Sequence, residues 1–204
     1  MQEPAQKARE IDAMSFEELA PPPPWEQDVI WEEWVEARLQ LSASPSTVRR
    51  ADPTPADSRR MRDLQMACEP ITPRLLRENK ATIAENQVFF AEIDRVPVGF
   101  IQVAINDAHP VLFAQAIGVV PQAQGRSIGR RLLTTAASVA PERPIVLATR
   151  DTNEAAHALI NGFAASTGAT VHQVSRGTYP DGLAAVPTDP HEAQAYEVWE
   201  IKRP

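Results

Sequence analysis

The stretch "VVPQAQGRSIGRRLL", residues 119–133, constrains the fold more than any other. An apolar run enters a turn, Gln124-Gly125-Arg126-Ser127-Ile128-Gly129. An amphipathic run leaves it, with Ile128, Leu132, Ala136 and Val139 on one helical face. A strand that passes through such a turn into a helix leaves several backbone N–H groups pointing one way, and the helix macrodipole adds partial positive charge there. Gly125, Ser127 and Gly129 are small enough for an anion to approach the backbone, and Arg126, Arg130 and Arg131 bring charge to it. Taken alone, the turn has two readings: an anion cradle, or a strand–helix turn whose glycines only permit tight geometry. No Gly-Lys-Ser/Thr follows, so it is not a P-loop. It does not match G-x-G-x-x-G, and the strands around it are not ordered as in a dinucleotide fold.

The pattern around the turn predicts a mixed α/β domain. "TVRRA" reads as a strand. "DPTPADSRRMRDLQMACEP" reads as a helix starting near Asp57 or Ser58, with Met61, Leu64 and Cys68 inward, and "ITPRLLRENKATIAEN" as a second helix. "QVFFAEIDRVPVGFIQVAI" reads as two strands about a tight turn at Asp94-Arg95, and "LFAQAIGVV" as the strand entering the glycine turn. A buried strand "PIVLATR", a helix closed by Gly168, and two terminal strands joined by a long loop complete the order β-α-α-β-β-β-α-β-α-β-β.

Residues 1–46 stand apart as an acidic extension, leaving 47–204 as the α/β domain. They hold ten acidic and three basic residues, which accounts for the whole net charge of −7; the other 158 residues carry 17 of each sign. Four prolines, Pro21–Pro24, predict a stiff extended spacer, and residues 1–24 are expected to bury little. "PWEQDVIWEEWVEARLQL" predicts a helix with Ile30, Trp34 and Leu41 on a broad stripe beside Trp31, Val35 and Leu39. The charge balance gives no basic nucleic-acid footprint, which disfavours nucleic acid. One cysteine, Cys68, gives no internal disulfide framework and fits a reducing compartment. No apolar run has the length of a membrane span, and "MQEPAQKARE" has no apolar signal core, so a cytoplasmic protein is expected. His109, His157, His172 and His191 lack metal-ligand spacing, and no metal is expected.

The turn resembles the acyl-CoA motif of the GNAT (GCN5-related N-acetyltransferase) superfamily, Gln/Arg-x-x-Gly-x-Gly/Ala, here Gln124 to Gly129. The resemblance extends in order from residue 47 to about residue 203. "TVRRADPTPADSRRMRDL" is similar to the family's opening strand and helix, "VFFAEIDRVPVGFIQV" to its second and third strands, and "IVLATRDTNEAAHAL" to its fifth strand and the Asn after it, Asn153. It implies a mixed central sheet flanked by helices, acetyl-CoA as co-substrate, and a small-molecule or protein amine as acceptor. Backbone amides of Gln124, Gly125, Arg126, Ser127, Ile128 and Gly129 would cradle the pyrophosphate, with Arg130 beside them. The backbone of Ile117 and Val119 would pair with the pantetheine arm, and Asn153 would orient the distal arm. An amine would attack the thioester, with the oxyanion held by a backbone N–H near Val119.

The pattern departs from the family twice. Ser127 replaces the first motif glycine, at a cost where φ is positive. The tyrosine that many members carry seven residues after the Asn is replaced by Ile160, which has no proton to give a leaving thiolate. His157 and Ser166 on the same helix and Tyr179 in the long loop are the candidate acids. Glu92 and His109 are the candidate bases, since Gln115 stands where some members place a Glu. A second reading follows from these departures: a GNAT-fold subunit with weak or no catalysis, docking a protein partner or a second copy through its N-terminal extension.

Overall fold

The structure is a computed structural model, and it describes residues 9–22 and 27–204. Pro23 and Pro24 of the expected spacer, and Trp25 at the start of the stretch expected to be helical, lie outside the described residues. The elements are α1 (Phe16–Leu19), α2 (Val29–Leu39), β1 (Thr47–Arg50), α3 (Pro55–Ala67), α4 (Leu76–Glu85), β2 (Gln87–Ile93), β3 (Val96–Asn106), β4 (His109–Val119), a 3-10 turn (Pro121–Ala123) and α5 (Ile128–Ala137). After these come β5 (Ile145–Arg150), α6 (Glu154–Thr167), β6 (Thr170–Val174), α7 (Asp181–Ala184), α8 (Pro190–Gln194) and β7 (Tyr196–Lys202). The order expected for 47–204 is present, with two additions inside the long loop. The strands form one mixed seven-stranded sheet, β1-β2-β3-β4-β5-β7-β6. Contacts gather the chain into two compact units, one of residues up to Phe100 with Gly118–Ile128, the other of Ile101–Ile117 with Gly129–Pro204.

In the first unit, α3 starts one turn earlier than expected. Thr54 is its cap, accepting from Asp57 N at 3.2 Å, and Pro55 occupies the first helical position, where a missing N–H costs nothing. Asp57 is not the cap but a buried hub. It takes Arg49 in a two-pronged pair at 2.7 and 2.8 Å, the Asp52 N–H at 2.8 Å and Arg60 at 2.9 Å. Met61, Leu64 and Cys68 point inward as their spacing predicts. The β2–β3 turn has φ of 49° at Asp94 and 67° at Arg95, the primed geometry that matches strand twist.

The described part of the extension packs into this unit, and within residues 9–22 it does so through one buried side chain, Leu19. Ser15 and Glu18 form a capping box on α1, and Leu19 is fully buried with Ala56 and Leu76, with Ile11, Phe16 and Ile30 packed against them. On α2 the inward side chain is Trp34, whose Nε1 donates to the Pro97 carbonyl at 3.0 Å, while Arg38 lies 4.6 Å from its ring. Leu39 is 65% exposed, so the apolar stripe is narrower than its spacing suggests. The fastening comes from α3. Arg59, 1% exposed, donates to Asp63, to both carboxylate oxygens of Asp28 and to the Leu19 carbonyl at 2.9 Å; Arg60 reaches Asp12 at 2.8 Å.

In the second unit, β5 pairs antiparallel with β7, and β7 with β6. One sheet face carries a cluster of Val111, Phe113, Val146 and Val198, covered by Ala184 and Val186. The 176–195 segment is therefore no open loop. It folds as α7 and α8 because Leu183, Ala184 and Val186 are apolar enough to close over the sheet.

Burial alone would raise the Asp57 carboxyl, but Arg49, the Asp52 N–H and Arg60 outweigh it and hold the pKa below the ordinary 3.8. Asp57→Asn is expected to cost about 2–3 kcal/mol in urea unfolding at neutral pH. A lowered folded-state pKa stabilises above the unfolded value and is lost on acidification, so the gap between parent and variant should close as pH falls below 3.8.

Candidate cofactor site

Strand β4 pairs in parallel with β5 through Leu112–Ala114 only. From Gln115 onward its β5-facing backbone groups have no strand partner among the described residues, so this length of β4 is an open edge. It contains Ile117 and Val119. The chain then passes the 3-10 turn, with Val120 N bonded to the Val98 carbonyl at 2.9 Å and Ala123 N to the Val120 carbonyl at 2.9 Å, and enters the turn that leads to α5.

Two turn residues are left-handed, Gly125 at φ 77° and Ser127 at φ 59°. A Cβ added at Gly125 would meet no atom within 4 Å, so conformation, not crowding, requires glycine there. Ser127 takes the strained conformation that its replacement of a glycine predicts, and Ile128, 2% exposed, anchors the far end. The Gln124 side chain folds back, its Nε2 donating to the Val119 carbonyl at 3.1 Å. The first motif residue thus ties the strand end to the turn. α5 has ten residues, and its opening N–H groups have no intrahelical acceptor. Arg130 is exposed on its first turn.

Gly118 differs from Gly125. It sits on β4 against the C-terminal end of α3, and a Cβ there would lie 2.8 Å from Cys68 Cβ and 3.1 Å from Ile71 Cδ1. A glycine inside an apolar strand is the sequence signal for such a close approach, but the spacing does not say what approaches. Cys68 is buried, and burial raises its thiol to about 12 against the opposing effect of Arg38, so it is a packing residue with no thiolate character.

The other expected residues are scattered. Asn153 is the N-cap of α6, its Oδ1 accepting from Ala156 N at 3.1 Å, so the structure gives it a structural task. Ile160 is 2% exposed and packed. Ser166 Oγ donates to the Phe163 carbonyl of its own helix. His157 packs edge-on to Trp199 at 5.6 Å, with Nε2 4.0 Å from Glu197. Tyr179 packs edge-on to Phe113 and His109 at 5.6 and 6.1 Å, within the cluster that holds Val198. Trp199 and Val198 alternate along β7, which puts His157 and Tyr179 on opposite faces of that strand. Glu92 is bound by Arg49 Nε at 2.8 Å. Gln115 is no base: it accepts from Gln102 at 2.6 Å and donates to the Leu183 carbonyl at 3.3 Å, fastening α7 to β4. Arg126 Nη1 donates to the Ser42 carbonyl at 2.6 Å. Among the described residues no cluster of His, Cys, Asp and Glu could hold a metal, and no helix is long and apolar enough to cross a membrane.

The sequence matches the acetyltransferase (GNAT) family over residues 58–163, more than half its length, and the chain belongs to that family. Solved structures share its fold. The diaminobutyrate acetyltransferase of Paenibacillus lautus, determined with L-2,4-diaminobutyric acid and coenzyme A, is 17% identical, with a TM-score of 0.62 over 79% of this chain and 96% of that one. The ribosomal-protein-S18-alanine N-acetyltransferase of Escherichia coli is 16% identical, with a TM-score of 0.56 over 78% and 93%. A GNAT acetyltransferase of Bacillus cereus is 17% identical, with a TM-score of 0.58 over 78% and 98%. No curated protein sequence matches this chain.

The two glycines separate by experiment. Gly118→Ala is expected to cost about 1–3 kcal/mol in thermal or urea unfolding, because a methyl is forced into packed atoms. Gly125→Ala should cost about 1 kcal/mol from the left-handed backbone alone, with no change in packing.

Proposed function

We propose that the chain is an N-acetyltransferase that moves the acetyl group of acetyl-CoA to a primary amine. The observation that carries this is the open edge of β4 running into a turn with two left-handed residues and then the N-terminus of a ten-residue helix. In this reading the backbone N–H groups of Gln124–Gly129 hold the pyrophosphate, with Arg130 beside it, and the β5-facing backbone of Ile117 and the Val119 N–H pair with the pantetheine arm, the Val119 carbonyl being taken by Gln124. The cofactor supplies an activated acyl thioester. A backbone N–H near Val119 would stabilise the oxyanion formed as the amine nitrogen attacks the thioester carbonyl; the nitrogen would give up its proton to solvent, and the leaving sulfur would take one up as the C–S bond breaks.

Of the three candidate acids, Tyr179 is the one to test first, with solvent as the other source of that proton. Ser166 is committed to its helix carbonyl and His157 to the α6 side of β7. The Tyr179 hydroxyl has no hydrogen-bond partner among the described residues. Burial, reinforced by Glu200, raises its pKa, so it stays protonated at neutral pH.

Calorimetric titration of the full chain with acetyl-CoA should give micromolar binding. Gly129→Asp, which puts a like charge beside the phosphates, should weaken it by about 1–2 kcal/mol. Unchanged affinity in that variant would remove the turn from the cofactor site. With an amine acceptor in hand, Tyr179→Phe should lower kcat by about a hundredfold or more. Full activity in Tyr179→Phe would leave the thiolate's proton to solvent.

A further inference from the structure

The proposed coenzyme turn is held from outside. Arg126 lies inside the phosphate motif, yet its Nη1 is spent on the backbone carbonyl of Ser42, at 2.6 Å. Ser42 belongs to "SASPS", the segment that joins α2 to β1. It is itself fixed on two sides. Its Oγ donates to Asp94 in the β2–β3 turn and accepts from Ser44 N at 3.0 Å. Behind it, α2 packs against the 3-10 turn Pro121–Ala123 and is fastened by Trp34 to the Pro97 carbonyl.

Charge placement fits this arrangement. The extension is strongly acidic, and an acid beside an anion cradle would repel phosphate. No acid lies between Glu36 and Asp52, so the length of chain that meets the turn presents a carbonyl and hydroxyl groups. Asp12 and Asp28 are paired instead with Arg60 and Arg59 of α3.

We infer that the N-terminal extension is a positioning element of the coenzyme turn, acting through the Ser42–Arg126 bond, and that the Arg126 side chain is a strut and not a phosphate ligand. The inference rests on reading the turn as the CoA site. A backbone cradle binds an anion well only when its N–H groups are already aligned, so whatever orders the turn beforehand adds affinity without touching the ligand. A guanidinium–carbonyl bond is charge-assisted and directional, which suits that task. Gly125 has no neighbour within Cβ reach, so its own surroundings hold that part of the turn weakly.

The test compares the full-length protein with Arg126→Ala, Ser42→Ala, the double variant and Arg126→Lys. Ser42→Ala keeps the carbonyl but removes the Oγ bond to Asp94 that fixes the residue carrying it. Three quantities are read: amide hydrogen exchange of residues 124–128 without coenzyme, the thermal midpoint, and acetyl-CoA affinity by calorimetry. Both alanine variants should speed exchange in the turn at a nearly unchanged midpoint and weaken acetyl-CoA binding about five- to tenfold. The double variant should be no weaker than the worse single one, because Ser42 acts on the turn through the bond that Arg126→Ala removes. Arg126→Lys, which can still reach the carbonyl, should recover most of the affinity.

Loss of affinity in Arg126→Ala with no change in turn exchange, or additive losses in the double variant, would make the Arg126 side chain a direct phosphate ligand and overturn the inference. So would turn exchange that neither variant alters. If the parent protein binds no coenzyme, the functional reading fails by itself, and the exchange data still decide whether the strut exists.

Discussion

Arg59 is the residue on which the N-terminal part of the molecule depends. Its guanidinium is almost wholly buried and cannot shed its charge, so every donor needs an acceptor. Its own helix supplies one, Asp63. The others come from the extension, as the Asp28 carboxylate and the Leu19 carbonyl. The acetyltransferase core alone would leave this arginine half-paired in an apolar setting. The acidity of residues 1–46, which reads from the sequence as a solvated or partner-seeking feature, is in part the complement of two arginines on α3.

That pairing shows what the sequence conceals. Periodicity told which residues of α3 face inward and which of α2 form a stripe, and Met61, Leu64 and Trp34 are buried accordingly. It could not tell that Arg59 and Arg60 are also buried, because a charged residue on a helix is exposed unless its partners come from elsewhere in the chain. The partners are 31 and 48 residues away, beyond the reach of any local pattern. The same holds for the 176–195 segment. Its proline, aspartate and glycine content marks a loop, while Ala184 and Val186, which close it over the sheet, look unremarkable until a sheet face is there to receive them.

At the proposed site the backbone was more legible than the side chains. The strand, the turn and the helix follow from residues 117–133, because small residues and hydrophobic period act locally, and the resemblance to the family motif is what marks Ser127 as the strained position. The side chains went elsewhere. Arg126 turned to Ser42, Gln124 to Val119, Asn153 to the first turn of α6 and Gln115 to α7. Each is a polar residue whose type fits a ligand equally well. Main-chain N–H groups, proposed above as the cofactor's ligands, ask little of side-chain identity, which would let those positions serve the fold instead.

Such division of labour explains how a strained turn survives. A serine at φ 59° costs about 1–2 kcal/mol relative to an ordinary conformation. Conformations of this kind persist where the surroundings over-determine them. Ile128 and Ala123 are buried on either side of the turn, Gln124 bonds back to the strand, and Arg126 reaches out to the extension. Core burial fixes where the turn begins and ends, and the two side-chain bonds limit what lies between. The middle, Gly125 to Ser127, stays exposed. An exposed, strained stretch of backbone held at both ends is a poor solution for stability alone and a good one for presenting amides to an anion. The acidic extension, through one carbonyl, is part of what holds it.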